Sequence, residues 1–169
     1  EIRVQVRTAK RWQTLARSTS GEDGGWLASL PTMRSRAVRA LAYVQGRRGA
    51  TSSELKVNVR ALVEARAAKR VVIRRPLTVR GRVRPAKGRL TLTIAREGSD
   101  GKYRTADRIR IRPKKGVYRQ VIRVRRPSLY RVRVSFAGDR SNASGRSADV
   151  VFRAIRPRAA SGGAQARAR

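Results

Sequence analysis

The chain has 169 residues, 40% of them hydrophobic and 31% charged, and its 43 Lys and Arg against 10 Asp and Glu give a formal net charge of +33. The lack of cysteine excludes a disulfide framework and thiolate metal sites, and the lack of histidine removes the commonest general base and transition-metal ligand. No apolar run approaches about 18 residues, so no segment reads as a membrane-spanning helix, while the charge imbalance favours polyanions and costs stability by self-repulsion.

The chain opens at Glu1 without the charged, apolar and small-residue succession of a leader, so a secretion signal would lie upstream or have been removed. Period-two alternation then predicts strands over residues 2–7, 12–19, 26–30, 37–45 and 54–61. Within 37–45, Leu41 and Tyr43 oppose Val38, Ala40, Ala42 and Val44, and a one-residue slip would invert the face. Residues 62–70 have helical propensity, but so short a stretch between β-units rarely sustains a helix, and they read as a connection plus a strand.

Leu77, Val79, Gly81 and Val83 alternate with Thr78, Arg80, Arg82 and Arg84, followed by Leu90, Leu92 and Ile94, then Ile109 and Ile111, then Tyr118, Ile122 and Val124. The strongest run, Tyr130 to Phe136, keeps every apolar residue on one face, and Val150 and Phe152 close the pattern. Turn signals stand between the runs at Pro85-Ala86-Lys87-Gly88, Gly98-Ser99-Asp100-Gly101, Pro113-Lys114-Lys115-Gly116 and Gly138-Asp139. Residues 156–169 lack periodicity and read as a disordered basic tail.

The chain also matches itself. Ile2, Val4 and Val6 fall on Leu90, Leu92 and Ile94; Trp12 and Thr14 on Tyr103 and Thr105; Trp26 on Tyr118; Val38 on Tyr130; and Val57 to Ala61 on Val150 to Ala154. One unit is used twice, at a spacing of a domain length. Glu1 aligns with Arg89, so the first copy lacks a counterpart of Leu62 to Gly88, and the chain reads as a piece of a longer polypeptide cut inside its first domain.

The residues that repeat resemble bacterial immunoglobulin-like repeat domains of secreted and cell-surface proteins from GC-rich genomes. The likeness rests on Gly81-Arg82-Val83-Arg84-Pro85, Lys102-Tyr103-Arg104-Thr105, Gly116-Val117-Tyr118 and Tyr130 to Arg140 in the second copy, and on Lys10 to Ala16 and Gly24-Gly25-Trp26 in the first. It implies an all-β fold of two tandem immunoglobulin-like antiparallel β-sandwich domains, the first incomplete at its N-terminus: residues 1–61, residues 62–155 and the tail. The implied role is a non-catalytic extracellular spacer or adhesion module, secreted or in the cell envelope, with further domains upstream in the same polypeptide.

No chemistry competes strongly with that reading. The ten carboxylates form no pattern repeated in both halves, the serines have no histidine, and one acid per loop is too few for calcium, so neither a cofactor nor a metal is expected. The Asn142-Ala143-Ser144 sequon reads as coincidence, and the matched positions of Trp12 with Tyr103 and Trp26 with Tyr118 imply rings packed within the fold. Arginine remains, 36 residues against 7 lysines. Arg80, Arg82, Arg84, Arg108, Arg110, Arg112, Arg131 and Arg133 alternate outward, and neighbouring strands would lay them out as one guanidinium-covered face suited to phosphates and carboxylates.

GC-rich codon usage accounts for most of the arginine excess, and the expected partners are anionic cell-wall or surface polymers, bound diffusely. The alternatives are an intracellular protein that binds nucleic acid non-specifically, and an accessory region of a secreted hydrolase whose catalytic domain lies elsewhere.

Overall fold

The computed structural model describes residues 1–157, which contain strands and no helix. The first strands in chain order are β1 (Ile2–Arg7), β2 (Trp12–Ser18), β3 (Arg36–Val44), β4 (Arg47–Thr51) and β5 (Leu55–Val57). They are followed by β6 (Leu62–Arg66), β7 (Arg70–Val72), β8 (Leu77–Arg84), β9 (Leu90–Glu97) and β10 (Tyr103–Ile111). The last are β11 (Val117–Ile122), β12 (Ser128–Phe136), β13 (Gly145–Arg146) and β14 (Val150–Ile155). Of the expected tail, residues 158–169 lie outside the described residues.

The chain divides into two compact units, one of Glu1–Leu62 with Phe136–Gly145, the other of Val63–Ser135 with the described residues from Arg146 on. The N-terminal unit is a sheet of order β2-β1-β3-β4, with β5 also paired to β3. Val6 opposes Val38 and Val4 opposes Ala40, which fixes the register that the alternation left open. Val4, Val6 and Val38 form its small core, covered by Leu15, Ala16, Ala28, Leu30 and Val57. The β3–β4 hairpin turns on Gln45 and Gly46, both at positive φ, the two-residue geometry whose twist suits paired strands.

Residues 26–30, expected as a strand, form none. Ala28 and Leu30 reach the core, but Leu27 is 86% exposed and the backbone has no strand neighbour to pair with. The expected buried packing of Trp26 also fails: it is 45% exposed, whereas Tyr118 is 3% exposed inside β11. Asn142 is buried and donates to the carbonyls of Met33 and Val59, so its amide is engaged within the N-terminal unit.

The C-terminal unit layers two sheets, β10-β9-β12-β14-β7 with β13 beside β12, and β11-β8-β6. Their inward rows are buried: Leu77, Val79 and Val83 of β8 and Tyr118 and Ile122 of β11 from one, Leu90, Leu92 and Ile94 of β9, Val132 and Val134 of β12 and Phe152 of β14 from the other. Tyr130 stacks on Phe152, its cross-strand neighbour, at 5.3 Å between ring centroids. Residues 62–66 are strand despite their helical propensity, because β8 offers backbone partners that an isolated turn of helix lacks. Antiparallel pairing dominates, β7 against β14 being parallel.

Candidate polyanion interface

The eight arginines singled out by alternation do not share one face. Arg80, Arg82 and Arg84 lie on β8, whose neighbours are β11 and β6; Arg108 and Arg110 lie on β10 and Arg131 and Arg133 on β12, both in the other sheet. Arg112 follows the end of β10. Arg108 faces Thr93 of β9, which on its other side faces Arg133, so the β10 and β12 rows stand two strands apart, about 9.6 Å. The expectation of adjacent rows failed because alternation gives the face of each strand but not the identity of its neighbour.

The β12 pair is already engaged. Arg133 donates from Nε and Nη2 to the Asp149 carboxylate at 2.7 and 2.8 Å, and Arg131 reaches the same carboxylate at 3.5 Å. The Arg131 guanidinium also lies 4.7 Å from the centre of the Tyr103 ring. The Arg133 hydrogen bonds, with the positive field of Arg133, Arg131 and Arg146, hold the Asp149 carboxyl below its usual range against a smaller effect of burial.

The β8 row is different. Arg80 faces Arg119 of β11 directly, and Arg66 of β6, the strand on the other side of β8, borders the same groove, so arginines of three adjacent strands surround one space. Arg66, Arg80, Arg82 and Arg119 form no ion pair among the described residues. Two open grooves flank the Arg66–Arg80 pair. One, of ≈ 450 Å³, is lined by Glu64, Arg66, Arg80, Gly81, Arg82, Val117 and Tyr118. The other, of ≈ 500 Å³, is lined by Arg66, Ala67, Ala68, Thr78, Arg80 and Arg119 and includes no acid.

The floor of the first groove is fixed by the Tyr118 hydroxyl, which donates to the Glu64 carbonyl. Burial, and then the charge of Glu64, push that phenol up to about 12. Arg66 and Arg119 were not among the arginines singled out from sequence. Arg119 follows inward-facing Tyr118 in the same alternation that exposed Arg80, and that signal was there to be read; Arg66 was hidden in a segment of helical composition.

In the N-terminal unit, Trp12 is half-buried, with the Arg39 guanidinium 4.2 Å and that of Arg7 6.0 Å from its ring, and Arg3 covers Tyr43 at 3.9 Å. These rings are spent on the chain's own cations. Among the described residues no three acids gather as a cation site.

No family model matches the chain, and no curated protein matches it. Among solved structures, a superoxide reductase (neelaredoxin) from Ignicoccus hospitalis is similar over 56% of this chain and 80% of its own, at 14% identity and a TM-score of 0.38. The chicken CNTN1 FN1–FN3 domains are similar over 91% of this chain and 57% of theirs, at 12% identity and a TM-score of 0.36. Both likenesses are weak.

Proposed function

We propose that this chain is a non-catalytic, immunoglobulin-like spacer and adhesion module that works outside the cell and attaches by charge to anionic wall or surface polymers. The observation that carries this reading is the group of Arg66, Arg80 and Arg119, exposed on adjacent strands and in no ion pair among the described residues. Paired strands fix the backbone spacing of these arginines, so an incoming polyanion meets closely placed charge and releases its condensed counterions. The remaining field of a +33 chain adds long-range attraction.

Such attachment depends steeply on salt. Retention of the full chain on purified anionic wall polymer should fall by about 10³-fold or more between roughly 50 and 200 mM NaCl if six or more anionic groups are engaged. Retention indifferent to salt over that interval would overturn the reading.

A further inference from the structure

We infer that the acid-free groove between Arg66, Arg80 and Arg119 is a localised oxyanion site that takes the phosphate groups of a linear polymer. The inference rests on the electrostatic attachment proposed above and narrows it from a field to a place. Like charges directly opposite on neighbouring strands are destabilising, yet Arg80 and Arg119 are cross-strand partners and Arg66 extends the row. Asp149 neutralises Arg131 and Arg133 along β12 and Asp100 neutralises Arg104, whereas Arg80 and Arg119, like Arg70 and Arg153 across β7 and β14, face each other without an ion pair among the described residues. Here the groove supplies three forks and the Thr78 hydroxyl, with no carboxylate in its lining. A bridging oxyanion supplies the missing counter-charge and can accept from two forks at once.

The row does not end at the groove. Arg82 and Arg84 continue along β8 at two-residue steps, about 6.6–6.8 Å each, so further anionic groups on the same chain find further forks. Glu64 shares its groove with Arg82, so the polymer seats first on Arg119, Arg80 and Arg66, and Arg82 and Arg84 are the outer contacts along β8. The repeating ligand is therefore a single flexible phosphate-bearing strand, and the first groove, floored by Tyr118, is not its primary seat.

The test uses the full chain and short inorganic polyphosphate as the probe, read by calorimetry at about 0.15 M NaCl. Arg80→Gln and Arg119→Gln should each weaken binding about 10-fold, whereas Arg108→Gln and Arg110→Gln, which remove the same charge from the other sheet, should change it less than about 2-fold. Arg80→Lys keeps the charge but loses the fork, and should weaken binding about 5-fold. Equal losses for all four glutamine variants would overturn the local site and leave diffuse attachment standing. No binding by the unaltered chain even at low salt would overturn both.

Orthophosphate at equal total phosphate should bind at least about 10-fold more weakly; equal binding would overturn the polymer as ligand. A second measurement needs no variant. Polyphosphate should protect Arg66, Arg80 and Arg119 from phenylglyoxal, mapped by peptide mass spectrometry, in preference to Arg108 and Arg110, and uniform protection would overturn the site.

Discussion

Gly81 is where the smallest side chain carries the largest structural demand. It lies in β8 opposite Tyr118, whose ring passes over it to reach the Glu64 carbonyl. A Cβ at 81 would overlap both the Glu64 oxygen and the Tyr118 hydroxyl, one of which is backbone and cannot rotate away. Gly81→Ala should therefore cost about 3 kcal/mol, the upper end for overpacking, and lower the urea midpoint accordingly. Gly88→Ala is the matched control, because nothing stands within 4 Å of the added methyl, and its midpoint should not fall. The same crowding fixes the floor of the groove beside Arg80 and Arg82, so packing and site are coupled at this position.

At the scale of the element, β12 shows how a strand with outward arginines is kept in place. Asp149, just before β14, binds Arg133 through two hydrogen bonds and Arg131 by charge, tying the outer faces of two paired strands. Its carboxyl sits below the usual range in the folded chain, so its contribution is complete above the unfolded value of about 3.9 and is lost as pH falls through the lower folded value. Both partners keep partial access to water, with side chains 28% and 37% exposed, which limits the pair to roughly 0.5–1 kcal/mol. Asp149→Asn should show that loss at pH 7, and the gap from the unaltered chain should close as pH falls below the unfolded value of about 3.9 and through the lower folded one in urea titrations. A gap that persists in acid would point to packing as its cause.

The elements themselves were largely legible, because burial on one face writes a period of two into Leu90, Leu92, Ile94 and into Tyr130 to Phe136. What alternation cannot resolve is a slip of two residues, which keeps every side chain on its face. β1–β2 and β9–β10 both carry a register shift, between the Val4–Ala16 and Gln5–Thr14 pairs and between the Ile94–Asp107 and Ala95–Thr105 pairs, and in that frame Val4 corresponds to Ile94 and not to Leu92. The matches of Trp12 with Tyr103 and of Val38 with Tyr130 hold in the same frame, since Arg39 over Trp12 answers Arg131 over Tyr103. Ser52 and Ser147 make the same set of contacts two residues out of that frame, since Ala40 corresponds to Val132. Each accepts the amide of a central-strand residue, Ala40 or Val134, donates its own amide back, and turns its hydroxyl to the next carbonyl. Trp26 misled because its match with Tyr118 rested on residue type, with no strand beneath it.

For the molecule as a whole, charge was plain in the composition, whereas its arrangement needed the sheet order: which arginines face each other depends on β8 lying between β11 and β6, a long-range fact that local pattern does not encode. The ion pairs at Glu1, Asp100 and Asp149 involve few of the cations, and a chain of +33 folds against its own repulsion. Unfolding separates those charges, so screening them favours the compact state. Raising NaCl from about 0.05 to 0.5 M shortens the screening length from beyond 10 Å to about 4 Å, below the two-strand spacing that separates Arg108 from Arg133. The melting temperature should rise by about 5 °C or more over that range, since about 1 kcal/mol moves a unit of this size by 4–8 °C. Salt that stabilises the fold while releasing the polymer marks one cause with opposite effects on two equilibria. A melting temperature that falls with salt would show that the few ion pairs outweigh the repulsion of the many unpaired cations.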